Sequence, residues 1–270
     1  MAHDHGLLHS IRSLIVDMDG VLYRGTEIIP GTREFLDFLR EREIGFSLAT
    51  NNATRTPQQF VDKLAGMGVS VNPGEILTSA LATASYLAEI ASSGARVFVV
   101  GQDGLRAALR DKGFMLVEEA ADYVVAGMDF EICYEQLAQA SLQIRAGARF
   151  IGTNPDKTFP SERGILPGAG SLLAFLEAAS GVQPVIIGKP ETAMMEQAMV
   201  LMAAQAESTA VLGDRLETDI LAGRRAGLVT LLVLSGVTDR DTLSNSEYEP
   251  DLIYEDVKDL HVHWKEVLDG

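Results

Sequence analysis

Short apolar runs alternate with longer segments of helical periodicity along most of the chain. The runs "LIVD" and "AVLGD" are apolar without alternation, which is typical of strands buried on both faces of a parallel sheet. Such runs predict strands over Leu14–Asp17, Gly45–Thr50, Arg96–Gly101, Tyr123–Gly127, Ala148–Thr153, Val185–Gly188, Ala210–Gly213 and Thr230–Leu234. The helical patterns between them include Thr32–Arg42, Pro57–Gly66, Gly104–Lys112, Tyr134–Ala146 and Thr192–Gln205. This alternation predicts an α/β protein whose parallel sheet is wrapped by helices.

Polar side chains of complementary chemistry follow four of these strands. In chain order they are two acids, a hydroxyl with two amides, an ammonium, and two more acids: Asp17 and Asp19, Thr50 with Asn51 and Asn52, Lys189, and Asp214 with Asp219. Ligands of such folds bind beyond the carboxyl ends of the strands. Each group alone is better explained by a turn or a helix cap than by a functional site. Their conjunction favours a single site for a cation and a phosphoryl group.

The residue types suit phosphoryl transfer. Carboxylate and carbonyl oxygens are the ligands that Mg²⁺ prefers, and Asp17, the backbone of Asp19 and Asp214 offer three of them. An aspartate such as Asp17 is a suitable nucleophile, and a second carboxyl, Asp19, is available to protonate a leaving oxygen and then to activate water. Thr50 can bind phosphoryl oxygens, and Lys189 can stabilise the charge that develops on them.

Composition and charge limit the class of partner. The 270 residues are 47% hydrophobic and carry a formal net charge of −16, which disfavours nucleic acid and anionic membranes as partners. A bound cation would still allow a small phosphorylated metabolite to approach. The single cysteine, Cys133, excludes an internal disulfide and is interpreted as a small buried hydrophobe. No apolar run is long enough to span a membrane, so we expect a cytoplasmic protein.

Four segments together resemble the motifs of a known superfamily. "DMDGVLY", "LATNN", "IIGKP" and "GDRLETDILAG" are similar to the four motifs of the haloacid dehalogenase-like (HAD) phosphohydrolases. "GARFIGTNPDKTFP" and "TDILAGRRAGLVTLLVLSGVT" resemble its NagD-like branch of nitrophenyl-phosphate, nucleoside-monophosphate, phosphoglycolate and pyridoxal-phosphate phosphatases. The resemblance extends from about Leu14 to about Leu260. It implies a Rossmann-like parallel-sheet core with an inserted α/β cap, and a Mg²⁺-dependent phosphatase that forms an aspartyl-phosphate.

The resemblance also implies a role for each motif residue. Asp17 would be the nucleophile and a metal ligand, and Asp19 the acid/base, with its carbonyl on the metal. Thr50 would bind the phosphoryl group, and Lys189 would be the motif lysine.

The remaining motif residues would complete the metal site and the substrate site. Asn51 and Asn52 would lie beside the phosphoryl group. Asp214 would be a direct metal ligand, and Asp219 would support the water shell of the metal or orient Lys189.

The same resemblance places the cap between the second and third motifs. We therefore expect the catalytic core at residues 1–81 and 184–270 and the cap at residues 82–183, with a possible homodimer through the cap. The polar, Gly- and Pro-rich segment at residues 153–171 would be a loop that reaches the substrate, although an ordinary surface loop explains each residue as well. Its candidate contacts are Asn154, Asp156, Lys157, Glu162 and Arg163.

Three function classes are compatible with these residues. The first is a phosphatase acting on small phosphomonoesters, and the second is a phosphotransferase that passes the same intermediate to an alcohol. The third is a non-catalytic phosphate-binding regulatory domain. An acid at Asp19, two residues after Asp17, together with a large cap, favours turnover over binding alone.

Overall fold

The computed structural model describes residues 2–161 and 163–270, apart from the side chains of residues 2–5 and 160. The chain divides into two compact units. The first contains the chain up to Thr50 together with Val61–Ile76 and Pro190–Gly270, and the second contains Asn51–Phe60 and Leu77–Lys189. The expected limits of an inserted cap, residues 82–183, remain a prediction about where that insertion begins and ends.

The first unit is built on a six-stranded sheet. Its spatial order is Leu252–Tyr254, Val229–Val233, Thr209–Gly213, Ser13–Val16, Gly45–Thr50 and Ile76–Thr78. The last of these strands begins in the first unit at Ile76, and its other two residues are assigned to the second unit. The strand Ser13–Val16 pairs in parallel on both sides, where Val16 is opposite Leu48 and Leu212. All four of its residues are buried, as its unbroken apolar pattern predicts. The carboxyl ends of these strands therefore meet at one edge of the sheet.

Helices and one short hairpin complete the first unit. The hairpin is formed by Tyr23–Arg24 and Glu27–Ile28. The α-helices are Ala2–Ser10, Thr32–Glu41, Pro57–Gly66, Ala193–Met202, Leu221–Arg225, Arg240–Ser244 and Val257–Asp269, of which Pro57–Gly66 begins in the second unit. Short 3₁₀ turns cover Pro73–Glu75 and Ala206–Ser208, and a π-helical segment covers Leu216–Ile220.

The C-terminal helix is anchored by its tryptophan. Trp264 is 0% exposed, and its indole N–H donates a 3.1 Å hydrogen bond to the carbonyl of Leu8. Its ring lies 6.0 Å from that of Phe38 and 6.5 Å from that of Phe35, in the range of favourable aromatic pairs. Both ends of the chain therefore pack onto the first unit through one buried aromatic cluster.

A histidine beside this cluster makes the stability of the first unit depend on pH. Burial lowers the pKa of His261, Lys265 lowers it further, and Glu34 and Glu41 oppose them. The folded state then binds the proton more weakly than the unfolded chain, so the free energy of unfolding falls as the pH drops below about 6.5. We expect His261→Gln to flatten this dependence in urea unfolding measured at about pH 7.5 and about pH 5.5.

The matched control for this prediction is His9→Gln, because the side chain of His9 is exposed. That variant should keep the pH dependence of the wild type. An unfolding free energy of His261→Gln that falls with acidification as steeply as that of the wild type would contradict the assignment.

The second unit has its own parallel sheet and its own core. The five strands lie in the order Val185–Ile186, Arg149–Gly152, Tyr123–Ala126, Arg96–Val100 and Met115–Leu116. The helices are Ser79–Ile90, Asp103–Asp111, Tyr134–Arg145 and Ala169–Ser180. Apolar side chains between sheet and helices form a core that includes Phe98, Val124, Ile144, Phe150, Leu173 and Leu176.

The segment at residues 153–171 is more regular than the predicted loop. Thr158–Ser161 and Gly164–Pro167 pair as an antiparallel hairpin, and the helix Ala169–Ser180 follows directly. A Cβ at Gly170 or Gly168 would overlap the carbonyl oxygen of Pro155 or Asp156, so the two glycines allow the start of this helix to approach the foot of the hairpin.

The interpretation of Cys133 as a buried hydrophobe was wrong. Its side chain is exposed because the residue is the extended N-cap of the helix Tyr134–Arg145 and does not lie on the buried face of that helix. Within the described residues, no helix has the length and apolar character needed to cross a membrane.

Candidate active site

Three carboxylates converge at the carboxyl edge of the first unit's sheet. Asp17, Asp214 and Asp219 each present an oxygen, and these oxygens lie within 4.8 Å of one another. Asp17 follows the central strand and donates its N–H to the carbonyl of Leu212 at 2.8 Å. Asp214 and Asp219 are 2% and 1% exposed, and Asp17 is half-buried. The structure therefore brings together three of the four acids that the sequence predicts as metal residues.

Backbone groups and glycines hold Asp214 in place. Its Oδ2 accepts a 2.6 Å hydrogen bond from the N–H of Val237. Gly20, at φ +88°, leaves no room for a side chain, because a Cβ there would lie 2.5 Å from the same oxygen. Gly236 approaches it just as closely. Both glycines therefore let backbone pack directly against this carboxylate.

A π-helical turn brings Asp219 to the same place. The N–H groups of Asp219 and Ile220 both donate to the carbonyl of Arg215, at 3.1 and 3.2 Å. The N–H of Arg215 in turn donates to Oδ2 of Asp219 at 3.1 Å. Turns of this kind are rare and occur frequently at functional sites. The widened turn directs Asp219 towards Gly213, where a Cβ would lie 2.5 Å from its carboxylate oxygen.

The donor set fits a divalent cation. Three carboxylates of like charge, two of them almost fully buried, repel one another unless a positive charge lies between them. Oxygen donors alone, without sulfur or imidazole, favour a hard ion such as Mg²⁺. The carboxylate of Asp19 is not part of this group, and the expected contribution of its backbone carbonyl remains a prediction.

Asp19 comes two residues after Asp17 at the same edge of the sheet, and its side chain is exposed to solvent. Protein atoms still surround its carboxylate closely enough that desolvation by burial raises its pKa, whereas the positive charges of Lys63 and Arg215 act to lower it. The ammonium of Lys63 is held 3.6 Å from the ring centroid of Tyr23. A carboxyl of raised pKa keeps a proton more readily than an ordinary aspartate, which suits a proton donor.

Thr50 completes the part of the site that belongs to the first unit. It is the last residue of the strand Gly45–Thr50, and its side chain is buried. Because Leu48 is paired with Val16, Thr50 at the end of one strand and Asp17 just after its neighbour lie at the same edge of the sheet.

The other three predicted site residues belong to the second unit. The side chain of Asn51 accepts a 2.9 Å hydrogen bond from the N–H of Lys189 and donates one of 3.0 Å to the carbonyl of Lys189. Asn52 closes a turn, since its Oδ1 accepts from the N–H and the hydroxyl of Thr54 at 2.9 and 2.7 Å. Lys189 itself is 3% exposed.

Two predicted cap contacts lie against Asn51. Asn154 donates to the carbonyl of Asn51 at 2.8 Å, and Asp156 accepts from the amide of Asn51 at 3.1 Å. Lys157 and Arg163 are exposed, and Glu162 lies outside the described residues.

Sequence reasoning missed the residues that surround the acids. Gly20, Gly213 and Gly236 crowd the carboxylates, and Lys63 and Arg215 lie close enough to change the pKa of Asp19. The glycines carry a sequence signal, because Gly213 ends the strand Thr209–Gly213, and Gly20 and Gly236 lie within four residues after the ends of the strands Ser13–Val16 and Val229–Val233. Lys63 carries none, because a lysine in the last turn of an amphipathic helix is ordinary.

Comparison with known proteins gives a consistent result. Residues 14–115 match the family model described as haloacid dehalogenase-like hydrolase, and residues 186–260 match one described as HAD-hydrolase-like. The chain is 42% identical over 243 residues to the 5'-nucleotidase YutF of Bacillus subtilis, covering 90% of this chain and 94% of that protein.

Two solved structures share the whole fold. NagD of Escherichia coli superposes with a TM-score of 0.86 at 37% identity, over 92% of this chain and 97% of NagD. A glycerol phosphate phosphatase of Mycobacterium tuberculosis, solved in complex with magnesium, superposes with a TM-score of 0.89 at 34% identity, over 96% of this chain and 79% of that one.

Proposed function

We propose that Asp17 is the nucleophile of this chain and that Asp17, Asp214 and Asp219 hold Mg²⁺. The chain belongs to the haloacid dehalogenase-like hydrolases and is a phosphoric monoester hydrolase of their NagD-like branch. The observation that carries the proposal is the convergence of these three carboxylates at the carboxyl edge of the sheet. When bound, a magnesium ion there supplies the positive charge that offsets repulsion between a carboxylate nucleophile and a phosphoryl group.

In the first half-reaction an oxygen of Asp17 bonds to phosphorus, and the bond from phosphorus to the leaving oxygen breaks. Asp19 gives its proton to that oxygen, so that the product leaves as an alcohol. The raised pKa of Asp19 supports this role, since burial favours the protonated carboxyl. The product on the enzyme is an aspartyl-phosphate at Asp17.

In the second half-reaction the ionised Asp19 takes a proton from water. The water oxygen bonds to phosphorus, the bond to Asp17 breaks, and inorganic phosphate and the free carboxylate are regenerated. Thr50 is assigned to the phosphoryl oxygens, with Asn52 on the turn that follows. We assign to Lys189 the stabilisation of negative charge on the nucleophile and on the transferred phosphoryl group. Its side chain is buried and ends in a single ammonium group.

For the substrate we propose small phosphorylated metabolites: nucleoside monophosphates, glycerol phosphate, sugar phosphates or phosphoglycolate. Support comes from relatives named 5'-nucleotidase and glycerol phosphate phosphatase. A phosphotransferase would share the first half-reaction. Product analysis with glycerol added as acceptor separates the two, because transfer yields a new phosphate ester and hydrolysis yields only inorganic phosphate.

Removal of the metal is the direct test of the proposed site. We expect release of nitrophenol from 4-nitrophenyl phosphate to stop when EDTA is added and to return when Mg²⁺ is supplied in excess, because the proposed ion supplies the positive charge that lets a carboxylate nucleophile approach a phosphoryl group. An apoenzyme that retains full turnover after exhaustive chelation would refute a metal-assisted mechanism.

The setting of the reaction is also a proposal. A chain with one cysteine and a net charge of −16 fits the cytoplasm, with neither nucleic acid nor membrane as partner. A homodimer through the second unit is supported by the large apolar side chains that this unit exposes, namely Met115, Phe130, Tyr134, Leu142, Ile165 and Phe175. Light scattering on the purified protein decides between a monomer and a dimer.

A further inference from the structure

We propose that Asn51 is a positioning residue whose side-chain amide fixes the backbone of Lys189, and that it does not itself bind the substrate. This inference rests on the proposed role of Lys189 in phosphoryl transfer. It departs from the sequence-based expectation that Asn51 lies beside the phosphoryl group as a substrate ligand.

The contact between the two residues has the form of a peptide pairing. Oδ1 of Asn51 accepts from the N–H of Lys189 at 2.9 Å, while Nδ2 donates to the carbonyl of Lys189 at 3.0 Å. The preceding backbone pairs with the strand Arg149–Gly152 and its extension, where the N–H of Gly188 donates to the carbonyl of Thr153 at 2.9 Å. The Asn51 amide thus continues the hydrogen bonding of this backbone past the end of the neighbouring strand.

The hydrogen-bonding capacity of Asn51 is committed to these contacts. A side-chain amide has two N–H donors. One is used by the carbonyl of Lys189, and the other is directed at the carboxylate of Asp156, whose two oxygens lie 3.1 and 3.3 Å away. Neither donor remains for a phosphoryl oxygen, so the side chain acts on the protein backbone.

Neighbouring groups hold Asn51 itself in position. Its carbonyl accepts from the amide of Asn154 at 2.8 Å and from the hydroxyl of Ser79 at 2.6 Å. Asp156 is fixed in turn, because its N–H donates to Asn154 and its carbonyl accepts from Gly170. Asn154 is buried. The amide is therefore preorganised before Lys189 is placed on it.

The close approach also requires a glycine. A Cβ at Gly188 would lie 2.6 Å from Oδ1 of Asn51 and 2.6 Å from the carbonyl of Thr153, so no other residue type allows the same backbone contact. The close contact with Asn51 therefore requires glycine at the first position of the Gly-Lys-Pro motif. Gly188 and Asn51 together fix the backbone position of Lys189.

Backbone placement matters for lysine in particular. Its ammonium group lies at the end of a flexible four-carbon side chain. Unlike the planar guanidinium of arginine, it does not impose a fixed geometry on its hydrogen bonds. A fixed N–H and carbonyl at Lys189 confine where that stem begins. Because a misplacement of about 1 Å can cost about 10²-fold in rate, we expect Asn51→Ala to lower kcat by roughly that factor with little change in KM.

A double-mutant cycle between Asn51 and Lys189 is the decisive experiment. We expect Lys189→Ala alone to lower kcat by about 10² to 10³-fold, as for removal of a group that stabilises a transition state. Asn51→Ala should add little to that loss in the double variant, since its effect passes through the lysine. A full additional loss in the Lys189→Ala background would overturn the proposal, and so would full activity of Lys189→Ala.

A swap of the amide and the carboxylate gives a second, independent readout. Asn51→Asp places a carboxylate beside Asp156 and loses the donor to Lys189, so it should reduce kcat. Adding Asp156→Asn restores a donor–acceptor pair and should recover part of the loss. If residue 51 contacted the phosphoryl group directly, its new negative charge would repel the substrate in both variants. Absence of any recovery in the double swap would therefore favour direct binding and refute the positioning role.

The control is another amide–carboxylate pair of the same unit. Gln139 donates to Glu135 at 3.1 Å on the surface, and Gln139→Ala should leave kcat and KM unchanged. Thermal unfolding of each variant separates loss of folding from loss of positioning. Failure of the proposed function gives a different result, since turnover would then survive loss of Asp17, whatever is found at Asn51.

Discussion

Asp17→Asn is expected to abolish phosphatase turnover and to leave the fold intact. The amide has the size of the carboxylate and keeps the backbone N–H bonded to Leu212. It is not a nucleophile, and it removes one of the three negative charges that face the proposed cation. We expect kcat for 4-nitrophenyl phosphate in saturating Mg²⁺ to fall by roughly 10⁴-fold or more, the scale of the loss when a hydrolase loses its nucleophile.

Asp37→Asn is the matched control for this variant. Asp37 lies on an exposed helix face, where its carboxylate is 69% exposed beside Arg40, and the substitution should leave kcat unchanged. Without Mg²⁺, thermal unfolding of Asp17→Asn should occur at or above the temperature of the wild type, because repulsion among the three carboxylates is reduced. Substantial turnover by Asp17→Asn would rule out the aspartyl-phosphate mechanism.

Gly213→Ala is expected to impair metal binding and stability together, although it changes no reacting group. The added methyl would overlap the side chain of Asp219 and lie within 2.5 Å of its carboxylate oxygen. Gly213 also ends a strand whose five residues are all buried. Asp219 must then move out of the acidic cluster, or the central sheet must shift.

The expected result is a loss of metal affinity together with a loss of stability. Displacing one metal-site carboxylate should weaken Mg²⁺ binding on the order of 10 to 100-fold. Overpacking of a tightly filled core should cost about 1–3 kcal/mol of unfolding free energy. Calorimetric titration with Mg²⁺ and urea unfolding of the apoprotein measure the two effects separately.

Gly66→Ala provides the comparison. Gly66 is the last residue of the helix Pro57–Gly66, and a Cβ there would meet no atom within 4 Å. That variant should bind Mg²⁺ as the wild type does and gain a few tenths to about 1 kcal/mol of stability. If Gly213→Ala bound Mg²⁺ with unchanged affinity, the close packing around Asp219 would have no bearing on the metal site.

The regular elements were predictable because their signals are local. Each predicted strand is present in the structure, and its ends agree with the prediction within about two residues. The reason is that a short apolar run bounded by Gly, Asn or Asp strongly favours a buried strand. The acids were predictable for a topological reason. Parallel strands place their carboxyl ends at one edge, so chain order alone indicates that Asp17 and Asp214 approach each other.

Features that depend on distant partners were not predictable. The role of Asn51 is set by Lys189, which lies 138 positions further along the chain, and nothing near Asn51 in sequence indicates it. Each strand of the hairpin Thr158–Ser161 and Gly164–Pro167 contains a proline, which favours a loop interpretation. The exposure of Cys133 follows from its N-cap position, whereas composition alone favours burial.

The position of the strand Ser13–Val16 has a consequence for the order in which the protein is made. That strand needs Thr209–Gly213 as its neighbour, and Asp17 needs Asp214 and Asp219, which leave the ribosome about 200 positions later. The sheet of the second unit ends at Ile186 and is complete well before then. A nascent or truncated chain that stops before Thr209 therefore carries a finished second core and only one of the three acids. The three carboxylates can therefore come together only after the chain has been made at least as far as Asp219.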